Sequence, residues 1–223
     1  MPTFSATSQT ELTKSPLALS RAGLVEYTEA LAHQRSIHSE VSQGIRPNTL
    51  ILLEHPSVYT AGKRTTELEK PTDGTPVIDV DRGGKITWHG PGQLIGYPIV
   101  KLAKPTELVG FVREIEAALI SVCAEFGINT QRVDGRSGVW VRDERGDRKI
   151  AAIGIRVAQG VTMHGFALNV NPELEPFNRI IPCGISDAAV TSLAVELSRD
   201  ISVIDVMPVV EKYVFESLMK VSA

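Results

Sequence analysis

Apolar positions fall into runs of two different periods along this chain. From Gly23 to Gln43, Leu24, Tyr27, Leu31, Ile37 and Val41 recur at near-helical spacing and Gly44 supplies a stop, which predicts a helix. The next run, TLILLEH (49–55), is short and continuously apolar and reads as a buried strand. A turn-rich stretch with few core positions follows, and VIDVDRGGKITWHGPGQLIGYPIV (77–100) then alternates strand, glycine turn, strand, glycine-rich turn, strand. Leu108, Val112, Ile115, Leu119, Val122 and Phe126 form one stripe of a helix over 106–127, closed by Gly127. GVWVRDERGDRKIAAIGIRV (138–157) predicts a hairpin about a charged turn, GVTMHGFALNVN (160–171) a further strand, and Asp205 to Lys220 a final helix. Helices flanking hairpin-connected strands predict an α+β fold with a mixed, largely antiparallel sheet.

At 223 residues the chain is long enough for one generous domain. The Ser/Thr-rich residues 1–14 are expected to form a mobile extension, leaving 15–223 as a single catalytic domain. A formal charge of −3 argues against a dedicated nucleic-acid binder. No apolar run approaches the roughly 20 residues that span a bilayer, and the first residues lack the pattern of a secretory signal. Two cysteines sixty residues apart form no disulfide framework. These features point to a cytoplasmic location, and the absence of an association helix points to a monomer.

The glycines of DRGGKITWHGPGQLIGYP permit tight turns or the close approach of a ligand to the backbone. The stretch matches neither phosphate-binding glycine pattern. Lys149 opens the apolar run IAAIGI, where it is either a solvated turn residue or a desolvated base. The histidines lack the spacing of a metal site, and no nucleophile elbow of a serine hydrolase is present. Cys123 lies on the apolar helix stripe and reads as core. Cys183, framed by Pro182 and Gly184, is equally compatible with a small buried hydrophobe and a reactive thiol.

Taken in order, LEHPSVYTAGKRT, RGGKITWHGPGQLIGYPIV, GVWV, KIAAIGIRV, VTMHGFALNVN and FNRIIPCGI resemble the lipoyl(octanoyl) transferases, over about residues 20–220. Trp88 replaces the tyrosine common in that family. The resemblance implies the catalytic-domain fold shared with biotin and lipoate ligases, and transfer of an octanoyl group from octanoyl-acyl carrier protein. The implied acceptors are the target lysines of lipoyl domains, in 2-oxoacid dehydrogenases and the glycine cleavage H protein. It also implies a nucleophile at Cys183 with Lys149 as its partner. Substrate is implied to contact Arg82, Gly83, Gly84, Lys85, Ile86, Thr87, Trp88 and His89, then Ala152, Ile153 and Gly154, then Gly165, Phe166 and Ala167. Neither metal nor cofactor is implied, because a thioester is already activated. Two rivals are an ATP-dependent lipoate or biotin ligase on the same fold and a non-catalytic module that binds acyl groups or lipoyl domains.

Overall fold

The computed structural model describes residues 17–104, 106–180 and 188–223. The expected extension at 1–14 lies outside the described residues. Strand β1 (Leu17–Leu24) precedes helix α1 (Tyr27–Ser42), followed by β2 (Asn48–Glu54), β3 (Val58–Ala61), β4 (Val77–Asp79), β5 (Thr87–His89) and β6 (Gln93–Ile99). After helix α2 (Leu108–Glu125) come β7 (Gln131–Val133), β8 (Arg136–Asp143), β9 (Gly146–Ala158) and β10 (Val161–Asn169). The chain closes with β11 (Ala189–Val190), α3 (Leu193–Leu197) and α4 (Val203–Val221).

The main sheet runs β1-β2-β6-β10-β9-β8-β7, with β11 added on β9. Among the described residues, only the β1–β2 and β11–β9 pairs of this sheet are parallel. The mixed, largely antiparallel architecture is therefore the observed one. Both faces are covered, which explains why β2 is a continuous apolar run. Leu50 and Leu52 join α2 and α4 in one core, whereas Ile51 and Leu53 join Ala30, Ile37 and Val41 of α1 in a second. Successive strand residues point to opposite faces, so one short run feeds both layers.

Three differences from the sequence expectation matter. The first helix begins at Tyr27, because LALSRAGL is an edge strand paired with β2. Val58–Ala61, inside the turn-rich stretch, is also a strand. It pairs with β4 and β5 in a separate three-stranded sheet, so only the last of the three strands expected over 77–100 enters the main sheet. This small sheet brings the RGGK turn against β9.

Candidate active site

The turn at 82–85 is fixed from both sides. Gly83 N–H donates to the Ile155 carbonyl of β9 at 3.2 Å, and Lys63 and Arg64 N–H groups donate to the carbonyls of Arg82 and Gly84. Arg82 is buried, and its guanidinium donates to the Thr60 carbonyl and hydroxyl and to the Gly83 and Lys85 carbonyls. The glycine at 62 is demanded by this docking, since a Cβ there would stand 2.5 Å from the Gly84 oxygen. Lys85 forms an ion pair with the buried Glu69.

Between this turn and the main sheet lies a cavity of about 210 Å³. Arg82, Gly84, Lys85, Thr87 and His89 line one side of it, and Ala152–Gly154 and Gly165–Ala167 the other. The contiguous 82–89 segment is thus split by strand alternation. Thr87 and His89 face the cavity, whereas Ile86 and Trp88 turn away into a small core with Tyr59, Phe177 and Ile180. Gly83 does not line the cavity either, because its role is backbone docking on β9.

Lys149 reaches the same cavity, although its side chain is largely buried. Its strand position pairs with Trp140 on β8 and with Val190 on β11. Nζ lies 4.6 Å from the centroid of the Trp140 ring, a cation–π distance. Cys183 lies outside the described residues. Cys123 is completely buried in α2, and burial pushes its thiol up to about 12, which makes it inert as a nucleophile at neutral pH.

His164, outside the expected site residues, completes the wall, and His55 lies buried behind it. His164 takes a left-handed φ of 60° within β10, and its N–H donates to the Gln34 side chain at 3.1 Å. His164 Nε2 donates to Asp81 at 2.8 Å, and Asp81 also pairs with Arg156. Burial raises the Asp81 pKa, but the His164 bond and nearby cations outweigh it and leave the carboxyl below its ordinary value. His55 donates from Nδ1 to the Val25 carbonyl and accepts the Tyr97 hydroxyl at Nε2. Burial lowers His55 to about 4 and His89 to about 3, so both are neutral imidazoles. Tyr27, Arg64, Tyr97 and Arg136 also line the cavity and carried no distinguishing local motif.

The family model described as lipoyl protein ligase A/B catalytic domain matches residues 26–215. The octanoyltransferase of Salinispora tropica is 59% identical over 203 residues, covering 90% of this chain and 95% of that protein. Among solved structures, a bipartite lipoate protein ligase studied with its E2 lipoyl domain from Thermoplasma acidophilum superposes with a TM-score of 0.68 at 16% identity. It covers 91% of this chain and 83% of that one. Lipoate-protein ligase A bound with ATP gives 0.69 at 14% identity, covering 91% and 85%.

Proposed function

We propose that this chain, which belongs to the lipoyl protein ligase A/B catalytic domain family and is an acyltransferase of the lipoyl(octanoyl) transferase type, works through a covalent Cys183 thioester. The donor is octanoyl-acyl carrier protein, and the acceptors are target lysines of lipoyl domains. The setting is cytoplasmic, the enzyme acts as a monomer, and residues 15–223 form its one catalytic domain. Among the described residues no helix is long and apolar enough to cross a membrane.

One observation carries the reading: a buried lysine enters a cavity walled by small-residue strands and a glycine turn. Lys149 supplies a proton-handling group there, while Ala152, Ile153, Phe166 and Ala167 offer apolar surface to an acyl tail. Val190, seven residues after Cys183 in the chain, pairs directly with Lys149.

The two half-reactions balance as follows. The Cys183 thiolate attacks the donor carbonyl, an acyl–sulfur bond forms to the enzyme, and the carrier thiolate leaves and takes up the proton held by Lys149. Thioester exchange is close to neutral in free energy, so the acyl-enzyme accumulates. The acceptor amine then attacks, the amide forms, and Cys183 thiolate is expelled. The amine's proton passes to Lys149. The cavity binds the octanoyl thioester between Arg82, Gly84, Lys85, Thr87 and His89 on one side and the two small-residue strands on the other.

Intact mass after incubation with octanoyl-carrier protein is expected to show one octanoyl adduct, absent in Cys183→Ala. Lys149→Arg is expected to lose transfer, because a guanidinium does not release its proton near neutral pH. Full transfer by Cys183→Ala overturns the covalent route. Transfer that needs free octanoate, ATP and magnesium assigns the chain to ligase chemistry instead.

A further inference from the structure

A line of buried side chains runs behind the cavity wall. His89 Nδ1 is 2.6 Å from Gln93 Oε1, Gln93 Nε2 is 2.8 Å from Asn169 Oδ1, and Asn169 Nδ2 is 2.9 Å from the Thr191 carbonyl oxygen. Thr191 N–H donates in turn to the Lys149 carbonyl at 2.9 Å. His89 is thereby tied to the strand position that carries Lys149.

The last member fixes the polarity of the whole line. A carbonyl oxygen only accepts, so Asn169 must present its NH2 to Thr191 and its oxygen to Gln93. Gln93 then donates through its NH2 and turns its oxygen to His89. An amide oxygen also only accepts, so the ring proton of His89 resides on Nδ1. Because the imidazole is neutral, Nε2 carries a bare lone pair. Nε2 has no hydrogen-bond partner among the described residues, and it is not one of the sealed, unpartnered atoms. His89 lines the cavity, with its ring stacked parallel to Tyr27 at 6.2 Å. The result is an oriented, accessible acceptor awaiting a donor.

We propose that His89 Nε2 accepts a hydrogen bond from the amide N–H two carbons beyond the thioester sulfur, in the pantetheine arm of the acyl donor. This rests on the carrier-thioester reading above, and it makes His89 a recognition residue for the arm rather than for the tail. The acyl tail has no donor to offer. The acceptor amine has N–H groups but must give up a proton, which an imidazole lowered to about 3 does not take. The arm's amide keeps its proton throughout the first half-reaction, at the end of which the arm leaves with the carrier thiol.

The test has two independent readouts. Long-range 15N–1H correlation on the wild-type protein is expected to assign the Nδ1–H tautomer to His89 between pH 6 and 8, and an Nε2–H tautomer overturns the proposal. Octanoyl-N-acetylcysteamine, which retains the amide, is then compared with the octanoyl thioester of butanethiol, which lacks it. Wild type is expected to favour the amide-bearing donor by roughly fivefold to tenfold in kcat/KM, the range of one neutral hydrogen bond. His89→Phe is expected to abolish that preference. Equal preference in wild type and variant overturns the proposal even where the tautomer is as expected. If neither these donors nor octanoyl-carrier protein yields transfer while octanoate with ATP does, the carrier-thioester reading fails, and the assignment of an arm amide falls with it. The tautomer result then stands by itself.

Discussion

Lys149 Nζ rests 4.6 Å from the centroid of the Trp140 ring, directly across the β8–β9 ladder. Trp140 is about as buried as a residue can be, and its indole N–H has no partner among the described residues. The ring therefore serves through its face and its volume rather than through its donor. Arg136 also lies over this ring, at 5.9 Å.

Trp140→Phe is expected to keep transfer within a few-fold of wild type, since it preserves an aromatic face and removes an unsatisfied N–H. Trp140→Leu removes the face and is expected to lower kcat about tenfold, in line with a desolvated cation–π contact of about 1–2 kcal/mol. Measuring kcat, KM and the thermal midpoint of both variants checks this. Wild-type kcat in Trp140→Leu would remove the ring as the support of Lys149.

Two glycines that line the cavity differ in what they tolerate. A Cβ on Gly165 would lie 1.8 Å from the Gly96 carbonyl oxygen and 2.8 Å from the Pro98 Cδ. A Cβ on Gly154 would lie 3.0 Å from the Arg82 Cδ, a side-chain atom, and 3.2 Å from the Gly83 oxygen. Gly165→Ala is expected to lower the thermal midpoint by roughly 5–10 °C, an overpacking cost of about 2–3 kcal/mol. Gly154→Ala is expected to fold and to raise KM by shifting the arginine turn. Calorimetry and steady-state kinetics separate the two effects, and equal melting of both variants would contradict the distinction.

Much of this arrangement was legible in the chain. Apolar period placed α2, β2, β9 and β10 because each buries a periodic or continuous surface. The motif order correctly indicated the family. Edge elements were less legible: LALSRAGL buries little beyond one face, and VYTA carries a pattern too short to distinguish from loop. The contiguous 82–89 segment could not be divided into cavity-facing and core-facing residues before β5 was known to be a strand. His164 looked like an ordinary strand histidine, since its positive φ and its Asp81 partner depend on tertiary contacts.

Acid should weaken the fold well before the carboxylates titrate. His55 and His89 are buried and neutral, with pKa values lowered to about 4 and about 3 from 6.5. Above pH 6.5 neither folded nor unfolded chain protonates them, and their neutral burial costs nothing extra. As pH falls below 6.5 the unfolded chain gains protons that the folded one refuses, so stability declines until the folded pKa values are reached. Each group is expected to remove about 2 kcal/mol by pH 5. Urea unfolding at pH 7, 6 and 5 measures the decline. A midpoint that stays level over this range would reject neutral burial of these imidazoles.

A carboxylate on the opposite side of the sheet supports the lysine from behind. Glu116 of α2 is completely buried and accepts from Arg113 Nη1 at 2.7 Å, Arg132 Nε at 3.0 Å and the Gly138 N–H at 3.0 Å. Gly138 has a φ of +113°, and a Cβ there would stand 2.4 Å from the Ala151 oxygen and 3.5 Å from the Lys149 Cε. Glu116 thus pins the backbone irregularity in β8 against which the lysine stem lies. Glu116→Ala leaves a buried amide without its acceptor and two arginines without their partner, a loss of about 3–5 kcal/mol. Glu116→Gln keeps an oxygen for Gly138 and is expected to lose less stability while retaining most of kcat. Exchange of the Gly138 amide should accelerate strongly in the alanine variant and only weakly in the glutamine variant. Equal protection of that amide in all three proteins would show that Glu116 does not hold the strand behind Lys149.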